Sequence, residues 1–317
     1  MPFRDSFQCL WCGTAWTVRG SDDLEGWAQL CPTCLGKAGE NPFLRTRLRA
    51  GLAERSRGGA PGSVTGSTPP SAGPAVAAPP AAPDPDAEMV AYYAARAGEY
   101  DDWYRRRGRY SHGPIHDAAW DAELDAAGRW LDGLPFSGEI AELAAGTGWW
   151  SPLLAEKGEL WAYDASEAPL DLARERLLAH SLRAHLHVRD AWAEPDRLVN
   201  ALFCGFWLSH IPRGRLEEFL RLVRRWLKPG GLFAFIDSLP DPQSGAADNP
   251  APGRGTAGLG TAGGGTAVRR LADGREFRIV KVFYRPDELR AALLRAGFAA
   301  ADVTTTGRFF LLGRAEA

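Results

Sequence analysis

Short apolar runs alternate with amphipathic stretches from about residue 138 to the end of the chain, the pattern of a parallel sheet covered by helices. The runs Glu139–Ala144, Glu159–Tyr163, His185–Val188, Leu198–Phe206 and Leu232–Ile236 are predicted strands. Between them, Trp150–Lys157 and Leu170–Ala179 are predicted helices. Arg215–Leu227 is a third, because Leu216, Phe219, Leu220, Val223 and Leu227 fall on one face with arginines and glutamates opposite. Lys228-Pro-Gly-Gly231 supplies its stop signal. Further on, Glu276–Phe283 reads as extended and Pro286–Ala296 as a helix ending at Gly297. Ala301–Thr305 and Arg308–Leu312 are expected to close the fold as an antiparallel pair.

Two stretches interrupt the pattern. Residues 58–86 contain only Gly, Ala, Pro, Ser, Thr, Val and Asp, a composition too poor in apolar surface to offset the entropy of ordering it. We therefore expect a linker over 58–87, about 30 Å in root-mean-square span, between a small unit at 1–57 and a larger domain at 88–317. A Gly- and Pro-rich stretch at 239–267 reads as a flexible insertion inside that domain, either a lid or a tolerated excursion.

The small unit carries Cys9-x2-Cys12 and Cys31-x2-Cys34, with eighteen residues between the pairs. Two residues between ligands let both thiolates face one ion, and the long gap brings the second pair round to complete a tetrahedron. This is zinc-ribbon spacing, and a closed four-thiolate site is structural rather than catalytic. Two disulfides are the competing reading, and an intracellular setting disfavours them. So short a chain has little core of its own, and metal binding would carry its folding. The stretch from Phe43 to Arg57 sets five arginines against Glu54, so the unit has three readings: a nucleic-acid reader, a protein-docking module, or a module with no direct ligand.

Composition adds limits. The 317 residues are 45% hydrophobic and 24% charged with a net charge of −2, which fits a globular chain without a general positive field for nucleic acid. No run of eighteen apolar residues occurs, and the N-terminus lacks a continuous apolar stretch, so we expect a cytoplasmic protein without membrane contact.

Glu142-Leu-Ala-Ala-Gly-Thr-Gly148 lies where the first predicted strand turns into a helix. Glycines there admit a ligand close to the backbone, and the helix start offers free amide donors. Asp164, at the end of the next strand, can accept from both ribose hydroxyls of a nucleoside. A dinucleotide would use similar parts, but its pyrophosphate calls for GxGxxG, whereas this turn reads AxGxG followed by Trp149 and Trp150.

The segments AELAAGTGWW, AYDAS, RDAW, FCGFWLSHIP and LKPGGLFAF, in that order, resemble the successive motifs of class I S-adenosylmethionine-dependent methyltransferases. The resemblance covers roughly residues 88–317. It implies a Rossmann-like α/β fold, with a seven-stranded sheet whose last strand is antiparallel, and S-adenosylmethionine as cofactor. Ala144 stands where the family usually has the first glycine. By the same resemblance, Glu142, Gly146 and Gly148 would surround the methionyl part and Asp164 would hold the ribose, with Ala144, Thr147 and Ala165 also binding the cofactor. Asp190 and Ala191 would meet the adenine, with Phe206 also on the cofactor. Residues 91–104 resemble the aromatic helix that closes over the cofactor in small-molecule members, with Tyr93 and Arg96 reaching its sulfonium end and carboxylate.

Chemistry at a sulfonium needs mainly alignment and water exclusion, and a base where the acceptor must lose a proton. His210, beyond the fourth strand, is the candidate base; a histidine satisfying loop backbone is the alternative. His112 and His116 either line the same cleft or belong to a loop leading into a helix, and Cys204 reads as core. The expected reaction is methyl transfer to an oxygen, nitrogen or carbon of a small molecule. An RNA methyltransferase guided by the ribbon, or a non-catalytic cofactor-binding regulator, are the other readings.

Overall fold

The computed structural model describes residues 6–8, 15–17, 85–249 and 265–317. The chain divides between residues 78 and 79. In the first unit, β1 (Ser6–Gln8) pairs antiparallel with β2 (Ala15–Thr17). The predicted metal ligands Cys9, Cys12, Cys31 and Cys34, the basic stretch and most of the predicted linker lie outside the described residues.

The second unit opens with three helices, α1 (Pro85–Arg96), the short α2 (Tyr100–Tyr104) and α3 (Pro114–Asp132). The alternating part follows as β3 (Glu139–Leu143), α4 (Ser151–Lys157), β4 (Glu159–Asp164), α5 (Glu167–Ala179) and β5 (His185–Val188). It continues through β6 (Val199–Gly205), α6 (Leu216–Trp226) and β7 (Leu227–Ser238). A hairpin of β8 (Thr266–Arg270) and β9 (Glu276–Val280) precedes α7 (Pro286–Arg295), β10 (Ala300–Thr305) and β11 (Phe310–Glu316).

Seven strands form one sheet in the order β10-β11-β7-β6-β3-β4-β5. β11, the last in the chain, runs antiparallel to both its neighbours. This is the α/β, Rossmann-like architecture that the motif order implies. β3 and β6 are central and mostly buried, which explains the apolar Ile140, Ala141 and Leu143 of β3 and Ala201–Cys204 of β6; Glu142 is the buried polar exception. Alternate residues of β6 serve opposite layers. Leu202 and Cys204 pack with Phe219, Leu220 and Val223 of α6 and Leu289 and Leu293 of α7. Ala201 and Phe203 face Trp120, Leu124 and Leu131 of α3 and Leu154 of α4. Cys204 is thus a core residue, and burial pushes its thiol pKa well up, so it is no nucleophile.

Two boundaries differ from the sequence pattern. Lys228-Pro-Gly-Gly231 does end the helix, but the strand already begins at Leu227 and passes through these residues with a register shift against β6. Gly230 takes φ +72° and donates its N–H to Ala317, which lets the strand bend there and continue. The insertion ends at Thr266, where β8 starts, and residues 250–264 lie outside the described residues. No helix among the described residues is long and apolar enough to cross a membrane.

The β8–β9 hairpin stands apart from the main sheet and pairs with α1. Met89 and Tyr92 of α1 pack against Leu271 and Ile279. Glu88 accepts the Arg278 amide at 2.7 Å, and Glu99 accepts the Ala272 amide at 3.2 Å.

Candidate functional site

The carboxyl ends of β3, β4, β5 and β6 open into one cleft, roofed by α1 and the start of α2. β3 leads to β4 on one side and pairs with β6 on the other, so the cleft sits where the strand order reverses, the usual binding position of an open α/β sheet.

The turn after β3 forms its floor. Ala144, Gly146 and Gly148 all have left-handed backbones, with φ of +53°, +56° and +70°. A Cβ on Gly146 would meet nothing within 4 Å, so that turn presents bare backbone to open space. A Cβ on Gly148 would lie 2.6 Å from the Ala173 Cβ, so that glycine admits α5 rather than a ligand. Gly148 does not line the cleft.

Asp164 ties this turn to the end of β4. Its Oδ2 accepts the Gly146 amide at 2.9 Å and its Oδ1 the Ser166 amide at 3.0 Å. Burial raises its pKa to about 6, against the lowering effect of these two amides. Each oxygen keeps a lone pair for a ligand hydroxyl. Farther along, Asp190 is exposed at the rim, where its Oδ1 caps the Trp192 amide at 2.8 Å, and Ala191 is buried beside it.

Glu142 occupies a smaller adjoining recess with Ala144, Gly146 and Thr147. It is 2% exposed, and burial raises its pKa to about 8, although Ser151 Oγ donates to it at 2.5 Å and Arg176 is near. Burial outweighs both, so this carboxyl keeps its proton near neutral pH. Thr147 donates to Asp101 at 2.8 Å, and Asp101 also pairs with Arg176.

His210 ends the 3-10 turn that follows β6. Its Nδ1 lies 2.7 Å from the Val280 carbonyl and its Nε2 2.7 Å from the Tyr93 hydroxyl. A carbonyl can only accept, so Nδ1 carries the proton and Nε2 accepts from Tyr93. Burial, and next the Lys281 ammonium, push the His210 pKa well below its ordinary value, so the ring is neutral at pH 7.

Tyr93, Ala144, Gly146, Thr147, Asp164, Ala165, Asp190, Ala191, Phe206 and His210 thus line one cleft. Arg96 does not line it. It is buried against the rings of Tyr100, Tyr110 and Tyr92, at 4.5, 5.3 and 5.7 Å. His112 and His116 also lie elsewhere: His112 contacts the Gly245 carbonyl and His116 contacts Asp117, in the loop leading into α3 and its first turn. Sequence reasoning missed Tyr100, Trp192, Trp207 and Arg215, all on the cleft wall. Tyr100 lies in the aromatic segment 91–104 and Trp207 follows Phe206, and their aromatic character is the signal the sequence offers.

The backbone cradle at Gly146, the Asp164 carboxylate and the buried Glu142 carboxyl fit a nucleoside joined to an amino acid, which offers hydroxyls to the one and an ammonium to the other. The comparisons with known proteins agree. A family model described as a methyltransferase domain matches residues 140–231. The ubiquinone/menaquinone biosynthesis C-methyltransferase UbiE of Azotobacter vinelandii is 30% identical over 115 residues, 34% of this chain and 45% of that protein. The chain therefore spans less than half the length of the curated relatives it matches. Two solved complexes cover more. DhpI with SAH is 30% identical, with 72% of this chain and 95% of that chain covered, at a TM-score of 0.54. DhpI with SAM and HEP is 29% identical over 74% and 99%, at 0.56.

Proposed function

Because the chain belongs to the class I S-adenosylmethionine-dependent methyltransferases, we propose that its second unit transfers the methyl group of S-adenosylmethionine to an oxygen, nitrogen or carbon of a small-molecule acceptor. The observation that carries this reading is the convergence of the bare Gly146 turn and the doubly anchored Asp164 carboxylate on one cleft at the carboxyl ends of the strands.

In this reading Asp164 holds the ribose hydroxyls, and Ala165 lines the cofactor cleft beside it. Asp190 and Ala191 meet the adenine, and Glu142 receives the donor's ammonium and loses its proton in doing so. Bound there, the donor supplies an electrophilic methyl on sulfur. The chain's work is then to align the acceptor and exclude water, which Phe206, Tyr93 and Tyr100 suit by their position on the wall.

Tyr93 and His210 handle the proton. The hydrogen bond from the Tyr93 hydroxyl to His210 Nε2 leaves the tyrosine oxygen's lone pairs free for an acceptor X–H. As the acceptor's bond to the methyl carbon forms and that carbon's bond to sulfur breaks, its electron pair staying on sulfur, the acceptor's proton would pass to the Tyr93 oxygen while the tyrosine's own proton passes to His210 Nε2. A neutral His210 of low basicity takes a proton only when the acceptor has become acidic, that is, during transfer. Single-turnover transfer from labelled S-adenosylmethionine tests the pair. His210→Ala and Tyr93→Phe should each slow it about 100-fold or more, with S-adenosylhomocysteine affinity held within about threefold. An unchanged rate removes the relay.

For the first unit we propose one structural zinc on Cys9, Cys12, Cys31 and Cys34. The donor set fits: four thiolates in two close pairs, the first within the segment that joins β1 to β2.

A further inference from the structure

The turn that carries His210 is stitched to a segment about seventy residues further on, the stretch 280–284 that runs from the end of β9 toward α7. The Val280 carbonyl lies 2.7 Å from His210 Nδ1, and the Val282 amide donates to the Ser209 carbonyl at 2.7 Å. Tyr284 donates its hydroxyl to the Ile211 carbonyl at 2.6 Å. A third element joins them, because Asp237 near the end of β7 accepts the Ser209 amide at 2.8 Å.

Lys281 ties all three together with one side chain. Its ammonium donates to Ser209 Oγ at 2.8 Å and to Ser238 Oγ, the last residue of β7, at 3.3 Å. Ser209, Asp237 and Ser238 are buried, and Asp237 spends its oxygens on the Ser209 and Ser238 amides, at 2.8 and 2.6 Å. The ammonium thus rests on two neutral hydroxyls, in a place where burial lowers its pKa to about 8. Packing alone gives no reason for a charge there, since an apolar side chain of similar length would fill the space without desolvating an ammonium.

The charge has a neighbour that explains it. Lys281 follows Val280, whose carbonyl holds the His210 ring, and is bonded to Ser209, which precedes His210. His210 Nε2 must stay unprotonated to accept from Tyr93, and a cation fixed beside the ring disfavours a second proton on it. We propose that Lys281 is a positioning residue: through Ser209 and Ser238 it fixes the His210 turn, and its charge keeps Nε2 free for the Tyr93 hydroxyl. The word positioning rests on the proton relay proposed above, but the hold on the His210 ring does not. Arg269 of β8 and Arg96 of α1 act on the ring in the same sense and less strongly than Lys281, while Asp237 acts on Lys281 itself.

Histidine-selective 15N NMR of the full chain tests this, with the His210 signals identified by their loss in His210→Ala. In the wild type they should show a neutral ring with its proton on Nδ1. Lys281→Met should raise the titration midpoint of the ring by about one pH unit or more and bring in the tautomer protonated on Nε2. Lys281→Arg, which keeps the charge, should hold both near wild type. Ser209→Ala keeps the ammonium and removes one anchor, so it should admit the second tautomer without that shift in midpoint. The proposal is overturned when Lys281→Met leaves midpoint and tautomer unchanged, or when Lys281→Arg departs from wild type as far as Lys281→Met does. Where Lys281→Met does not fold, an unchanged ring in Ser209→Ala overturns it instead. If Lys281→Met moves the ring as expected while His210→Ala transfers methyl at the wild-type rate, the relay fails and the hold on the ring stands.

Discussion

Asp164 shows how little freedom a single side chain in the cleft has. Both its oxygens face backbone N–H donors, so an amide in its place must turn one NH2 toward another donor. Asp164→Asn should therefore cost about 2 kcal/mol of S-adenosylhomocysteine binding, roughly thirtyfold, measurable by isothermal titration. Glu142 gives a pH signature. Its folded pKa is about 8 against an ordinary 4.5, and that of Asp164 about 6 against 3.8. Between the ordinary and folded values the native state holds protons that the unfolded state has released, so stability falls as pH rises. The donor-free protein should lose thermal stability from about pH 4 to pH 8 and level off above. Glu142→Gln should flatten the upper part of that slope, and a midpoint independent of pH from 5 to 8 in the wild type would contradict the assignment.

At the scale of elements, packing around the glycines decides more than the cleft does. Gly148 combines φ +70° with a site where an added Cβ would lie 2.6 Å from the Ala173 Cβ, so Gly148→Ala must push α5 away from the turn. It should destabilise the protein by about 3 kcal/mol, read as a shift in the urea midpoint. The sheet strands were legible because central parallel strands are mostly apolar, and α6 was legible because its buried residues follow the helical period. The β8–β9 hairpin was only half legible. β8 borders a Gly-rich stretch, and its five residues Thr-Ala-Val-Arg-Arg carry no apolar face, because it pairs with β9 and α1 rather than filling the core. Asp164 and the glycine turn could be read from their spacing. The contact between Tyr93 and His210 joins residues 117 apart, and neither composition nor periodicity reports such a meeting.

For the whole molecule, the two units call for separate evidence. The cysteine spacing predicts one zinc per chain, so native mass spectrometry of the reduced full-length protein should show the mass of a single zinc ion, lost together with four thiolate protections on chelation. A zinc-free mass with all thiols reduced would refute the ribbon. The second unit's chemistry does not depend on that result, since every group assigned to the cleft comes from residues 79–317.

The bond from the Arg278 amide to Glu88 spans 190 residues and fastens the roof of the cleft to a hairpin made late in the chain. During synthesis the ribosome therefore delivers the glycine turn and all four cleft-forming strands well before the partner that anchors α1. A nascent chain halted near residue 260 would own five of the seven sheet strands but lack the hairpin against which α1 packs, so the roof gains its anchor only in a late step.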